Sequence, residues 1–262
     1  MTKKFIILNL TPDSFSDGGK HVKLNLKNFV KNAKNKNAYG IDVGAMSTRP
    51  DATLITYKEE IERLRPFIKI ISDFCITFDL KLSLDTFNYE TANWVLTQCN
   101  IDYLNDVSGF KDTNFAKLLK ANPKLKYIFM HSLTVPAYSD IVMSEEQDEM
   151  IAVVAKYAFT RIDKLVKMGI EESRILFDPG IGFSKNHEQS MYLVKNIDVL
   201  QEIVKKNYPE VQMLVGHSRK RFLKHYAGID PLIKASNNSL DCLTEFVTRV
   251  FFDKIDFVRS HD

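Results

Sequence analysis

The chain has 262 residues, is 45% hydrophobic and 26% charged, and carries only 10 Gly and 8 Pro, a globular composition with enough apolar residue for a large core. Its net charge of +3 is too small to argue for a nucleic acid or a membrane surface as partner, and no apolar run approaches the ~18 residues of a spanning helix. Cys75, Cys99 and Cys242 lie far apart without CxxC or Cys/His spacing, which argues against a disulfide framework or zinc site and for free thiols in a reducing cytoplasm.

Short apolar runs alternate with longer amphipathic segments. The first run, Phe5–Leu10, lacks the length and small-residue cleavage site of a signal peptide and reads as a strand. A helical pattern over Leu24–Tyr39 follows, then a strand at Ile41–Val43, a helix over Thr56–Phe74 and a strand at Lys81–Leu84. Next come helix Tyr89–Gln98, strand Tyr103–Asn105, helix Thr113–Ala121 and strand Tyr127–Met130. Helix Ser144–Met168 repeats apolar residues at Met150, Val153, Val154, Tyr157, Ala158, Ile162, Leu165 and Val166. Strand Arg174–Phe177, helix Glu188–Asn207, strand Gln212–Val215, helix Ser236–Asp253 and strand Ile255–Val258 complete the chain.

Eight strands, each but the last followed by a helix, predict an α/β fold of the (β/α)8 TIM-barrel class as one domain over residues 1–262. A doubly wound sheet would carry a Gly-rich phosphate fingerprint after an early strand, and none is present. Asn9, Asp42, Asp85, Asn105, His131, Asp178, His217 and Arg259 each fall at or just past a strand's C-terminal end, so a barrel is expected to gather all eight at one mouth. Both ends look short for a barrel, and the final C-terminal helix is missing from the pattern. A domain of a longer or multifunctional protein, or a separate cover for that flank, would account for this.

Five stretches carry chemistry. In NLTPDSFSDGG, Asn9 to Gly19, an amide ends a strand and opens a polar loop; it suits either a hard cation or phosphate oxygen, or a plain turn. Thr48, Arg49 and Pro50, in IDVGAMSTRPDA, put a hydroxyl, a forked cation and a rigid bend beside the second strand. Asp85, Asn105 and Asp178 could ligate metal, transfer protons or cradle a flat heterocycle, whereas Asp106 reads as a cap of the next helix. Met130, Val107 and Phe183 fit an apolar wall, and His131 is either a base or a packed structural residue. In GHSRKRFL, three cations, Arg219, Lys220 and Arg221, oppose a helix dipole, which suggests an anionic or electron-rich partner. In FVRSHD, Arg259 and His261 alternate along a strand end and can face the same way.

Together these five motifs resemble, in order and over nearly the whole chain, the dihydropteroate synthases of the pterin-binding barrel family. Ala45, Met46, Asp51, His217 and Arg221 depart from the family pattern. The resemblance implies condensation of 6-hydroxymethyl-7,8-dihydropterin pyrophosphate with p-aminobenzoate. Implied pterin contacts are Asp85, Asn105, Val107, Met130, Asp178, Phe183, Lys220 and Arg259. Implied p-aminobenzoate contacts are Phe15, Thr48, Arg49, Pro50, Gly182, Phe183, Ser218 and Lys220. Asn9, Thr48, Arg49, Arg259 and His261 would hold pyrophosphate, and Asn9 would ligate Mg²⁺. The reaction would rest on Asp17, Arg49, Asp85, Asp178, Lys220 and Arg259. A homodimer, sometimes fused to another folate-pathway domain, is also implied. A pterin-binding methyltransferase, which has no need for the set Asn9, Arg49, Arg259 and His261, and a non-catalytic pterin-binding homologue, suggested by the divergent second loop and His217, are the competing readings.

Overall fold

A computed structural model describes residues 2–10, 20–47, 52–136, 138, 140–229 and 236–261, with the side chains of residues 20–22 excepted. Eight parallel strands close into a barrel in sequence order: β1 (Lys3–Asn9), β2 (Gly40–Gly44), β3 (Lys81–Asp85), β4 (Tyr103–Asp106), β5 (Lys126–Met130), β6 (Ile175–Asp178), β7 (Gln212–Gly216) and β8 (Phe257–Ser260). The α/β barrel expected from the sequence is therefore present. The register of β1 against β8, Lys3 beside Phe257 through Ile6 beside Ser260, completes the closure and leaves no open edge.

Strand alternation decides what faces where. Outward residues such as Ile41, Val43, Leu82, Leu84, Phe129, Phe177 and Val215 join the surrounding helices in one continuous apolar shell. Inward residues of the lower half, Phe5, Tyr103, Ile128, Leu176, Leu214 and Phe257, form a separate apolar plug. Phe5 meets Tyr103 edge-on at 5.0 Å, Tyr39 shares a 2.8 Å hydroxyl hydrogen bond with Tyr103, and the Lys3 ammonium lies 4.9 Å above the Tyr39 ring. Each buried aromatic contributes about 1.5–3 kcal/mol through area removed from water. The floor is sealed, so only the opposite end can hold a site.

The helices depart from the sequence pattern where polar chemistry interrupts it. The segment Thr56–Phe74 is two helices, α2 (Tyr57–Leu64) and α3 (Ile68–Thr77), because Pro66 has no amide hydrogen to continue the ladder. Thr56 and Glu59 start α2 with a reciprocal capping box. Helix α1 (Lys20–Asn35) stops short of Tyr39: Asn37 turns left-handed at φ 57° and the Ala38 amide bonds back to the Ala33 carbonyl. Helices α4 (Tyr89–Gln98) and α5 (Phe115–Ala121) lie close to expectation, whereas α6 (Met150–Lys167) is preceded by a separate 3-10 turn, Gln147–Glu149. The segment Glu188–Asn207 divides into α7 (His187–Lys195) and α8 (Ile197–Asn207). There the Asn196 side chain donates to the Tyr192 carbonyl at 2.8 Å and competes with the helix. A short α9 (Arg221–Tyr226) precedes α10 (Asn237–Phe251); six residues show no readable period, which is why the sequence pattern did not reveal α9. The last strand starts two residues later than expected, after the Asp256 carboxylate has accepted the Met213 amide at 2.9 Å.

Candidate active site

The inward residues of the upper half surround a cavity of about 910 Å³. Asn9, Asp85, Asn105, Val107, Met130, Asp178, Gly182, Phe183, Ser218, Lys220, Arg259 and His261, all singled out from sequence, line it. Phe15, Asp17, Thr48, Arg49 and Pro50 lie outside the described residues, as does Asp51.

Two expected mouth residues are not there. His131 and His217 sit one position past the inward-facing Met130 and Gly216, so both point outward. His131 packs against Tyr157 of α6 at 4.6 Å, and burial pushes its pKa down to about 2. His217 meets Phe252 edge-on and its Nε2 lies 2.8 Å from the Thr248 hydroxyl of α10; burial holds its pKa at about 4. The departure at His217 therefore fills the barrel–helix interface, not the cavity. Met46 does face the cavity, and the Ala45 carbonyl accepts from Arg63 at 3.1 Å.

Two further expectations need correction. Asp106 caps a loop and not a helix: it accepts the Ser108 and Phe110 amides at 2.7 and 2.9 Å and the Tyr127 hydroxyl, ahead of α5. The three cations after β7 all line the cavity, but one of them is neutralised. Arg219 forms a bidentate pair with Asp241 of α10, both contacts 2.7 Å, so its charge is met within the protein. Lys220 precedes α9 and turns inward, its ammonium 4.2 Å from the centre of the Phe183 ring.

At the heart of the cavity, Arg259 bridges two buried carboxylates, its Nε donating to Asp42 and its Nη2 to Asp85. Asp42 is 1% exposed and also accepts from the Asn105 amide at 3.1 Å. Asp42 was expected among the eight residues at the mouth, but without a chemical role. Strand parity is the signal that finds it, because Asp42 is two residues before Gly44 and pairs in register with inward Ile7. Burial raises the pKa of Asp85, and Arg259 opposes that rise. On the opposite wall, Asp178 accepts the Gly180 amide at 2.8 Å; burial raises its pKa while Lys220 opposes. Burial likewise pushes Lys220 down to about 7, against the pull of Asp178. The Ser218 hydroxyl accepts the His261 amide at 3.2 Å and lies 2.9 Å from His261 Nδ1, joining two rim residues.

Two carboxylates, an amide, a lysine and an arginine backed by the buried Asp42 thus converge on a partly apolar cleft, an arrangement that fits a flat heterocycle with donor and acceptor edges plus an anionic group. The family model for pterin binding enzymes matches residues 5–244. A folate synthesis bifunctional protein of Arabidopsis thaliana is 35% identical over 243 residues, 91% of this chain and 50% of that protein. This chain thus spans about half the length of that plant relative. A dihydropteroate synthase of Clostridium beijerinckii is 32% identical over 98% of this chain and 87% of its own length. The crystal structure of dihydropteroate synthase from Anaplasma phagocytophilum, with bound 6-hydroxymethylpterin-monophosphate, superposes with a TM-score of 0.82 at 28% identity, covering 100% of this chain and 93% of that one. The cavity and the likeness agree, and the chain belongs to the pterin-binding enzyme family, with the dihydropteroate synthases.

Proposed function

We propose that this protein condenses 6-hydroxymethyl-7,8-dihydropterin pyrophosphate with p-aminobenzoate, forming dihydropteroate and pyrophosphate. The observation that carries the reading is the convergence, in one cleft, of an Asp85–Asn105–Asp178 cradle with Lys220, Arg259 and His261. Asp178 and Asn105 accept and donate along the aminopyrimidine edge, Lys220 donates to the pterin carbonyl, and Val107, Met130 and Phe183 flank the ring. Gly182, Phe183 and Ser218 receive p-aminobenzoate, together with Phe15, Thr48, Arg49 and Pro50. Asn9, Arg259, His261, Thr48 and Arg49 take the pyrophosphate.

In this reading the bond between the pterin methylene carbon and the pyrophosphate oxygen breaks first. The leaving pair stays on pyrophosphate, and the aryl amine then bonds to the methylene carbon and releases a proton. Catalysis is positional and electrostatic: Arg259 and His261 meet the departing charge, while Asp85 and Asp178 face the delocalised cation. Asp17, on the first loop, helps orient the amine. Arg259 uses two of its five N–H donors on Asp42 and Asp85, so the remaining donors can meet pyrophosphate while both carboxylates hold the guanidinium in place.

Mg²⁺ suits the same reading. Among the described residues no three His, Cys, Asp or Glu side chains form a metal cluster, so an all-protein cage is not in view. Mg²⁺ typically keeps waters and phosphate oxygens with one or two protein ligands, and the Asn9 amide oxygen supplies one. When bound it neutralises pyrophosphate charge.

One barrel domain over residues 1–262, acting as a homodimer in the cytoplasm, completes the proposal. Phe246 and Val250, both about half exposed on α10, supply an apolar strip for the dimer. Free Cys75, Cys99 and Cys242 suit a reducing compartment, and none of the described helices is long and apolar enough to cross a membrane. Fusion to a second folate-pathway domain is supported by the plant relative's name.

The test is dihydropteroate formation with and without Mg²⁺, p-aminobenzoate and each variant. Turnover dependent on p-aminobenzoate is expected, and Asp178→Ala is expected to weaken pterin binding roughly 30-fold or more in calorimetry, the loss of a charge-assisted hydrogen-bond pair. Tight binding of the pterin pyrophosphate without product would support a non-catalytic homologue. Methyl transfer without p-aminobenzoate dependence would support the methyltransferase.

A further inference from the structure

Lys185 lies near the end of the loop between β6 and α7, lines the cavity and is 7% exposed. Among the described residues no carboxylate lies within ion-pair distance of it. Its ammonium instead lies 2.8 Å from His131 Nδ1 and donates to the Gly180 and Phe183 carbonyls, each at 3.0 Å. An ammonium has three donors, and all three are used. Asp178, Lys220 and His131 are the titratable groups facing it, from β6, the β7–α9 turn and the end of β5. A buried cation held by neutral acceptors is costly, and burial lowers its pKa to about 7.

The loop is built around that cation. Gly180, Gly182 and Ser184 adopt φ of 64°, 76° and 50°, alternating left-handed positions that turn the carbonyls of residues 180 and 183 toward Lys185. A Cβ on Gly180 would sit 1.9 Å from the His131 carbonyl, so the backbone is pressed against the β5 end. On the cavity side, Lys220 donates to the Ile181 carbonyl and lies over the Phe183 ring. The loop is therefore held by two lysines that both line the cavity, Lys220 on the Ile181 carbonyl and Lys185 on the Gly180 and Phe183 carbonyls.

We propose that Lys185 is a positioning residue: by tying the Gly180 and Phe183 carbonyls to His131 it fixes residues 180–183, so that Gly182 and Phe183 keep the p-aminobenzoate wall in place when Lys220 leaves Ile181 for the pterin. This rests on the synthase reading above. The pterin is also held by Asp85, Asn105 and Asp178 at strand ends, Asp178 sharing only the Gly180 amide with the loop, so p-aminobenzoate responds more strongly than pterin to loss of Lys185.

Lys185→Met keeps the length and removes the donors. The expected result is a KM for p-aminobenzoate raised roughly ten-fold, with pterin pyrophosphate affinity changed less than about three-fold and kcat reduced less than KM is raised. Lys185→Gln repeats the measurement should the methionine variant fail to fold. An unchanged p-aminobenzoate KM, or pterin affinity that falls in parallel, overturns the role. Calorimetry of p-aminobenzoate on enzyme loaded with pterin and pyrophosphate repeats the test without turnover. Wild-type enzyme that turns over while the variant shows no split overturns Lys185 alone. Wild-type enzyme that neither turns over nor binds p-aminobenzoate overturns both.

Discussion

Lys220 stands between the Ile181 carbonyl and the Phe183 ring, with burial lowering its pKa to about 7 from 10.5. A lysine depressed in this way is charged below about pH 7 and loses its proton above it. If its ammonium donates to the pterin carbonyl, kcat/KM for the pterin substrate falls on an alkaline limb centred near that pH. Lys220→Arg keeps the charge at every working pH, so the limb is expected to vanish in its pH–rate profile while persisting in Lys185→Met. A limb that survives Lys220→Arg assigns it to another group. At this scale a residue's place on the cavity was legible in the sequence wherever side-chain type and strand parity agreed, as for Asp178 and Arg259. It was not legible for His131, His217 and Arg219: a string of letters shows that a residue ends a strand but not which face it takes or that Asp241, 22 positions on, meets Arg219.

Among the elements, α2 is tied to the loop after β3 by a single buried carboxylate. Glu60 is fully buried, and its Oε2 accepts from the Thr86 and Thr91 hydroxyls and the Asn88 amide at 3.0, 2.6 and 2.9 Å. Burial raises its pKa, with those donors opposing. The network joins the helix that follows the second loop to the residue after Asp85. Glu60→Ala leaves three donors without their acceptor and is expected to cost about 2–4 kcal/mol, read as a lower urea midpoint. Glu60→Gln retains an acceptor and is expected to cost less. The eight strands were legible because each is a short apolar run ended by a polar residue. The division of two helices was less so, because Pro66 and Asn196 interrupt segments whose apolar period continues across them.

For the whole molecule, His131 and His217 are buried and neutral in the folded chain, with pKa values of about 2 and about 4 against 6.5 when free. Their neutral burial favours the fold fully above pH 6.5. As pH falls below that value the unfolded chain gains protons that the folded chain refuses, and stability declines by up to about 1.4 kcal/mol per pH unit for each histidine. The loss from His217 ends near pH 4 and that from His131 continues below it. Asp106 and Asp178, whose protonation burial favours, work in the opposite direction. A difference measurement therefore isolates the effect: His217→Gln should show a shallower fall of melting temperature than wild type between pH 6.5 and 4. Equal slopes would remove His217 from the acid response.

The sequence by itself determined the barrel class, the order of its strands and the set of residues able to cradle a heterocycle, since hydrophobic period and local motif are properties of neighbours along the chain. Tertiary closure alone decided which of those residues meet. It placed Arg259 between Asp42 and Asp85, 217 and 174 positions away, turned two histidines out of the mouth, and brought Lys185 against His131 of the β5 end. The physical reason is that barrel closure brings β8 against β1 and fixes which of each strand's two faces turns inward; a local stretch shows the alternation but not that choice or the contacts it makes.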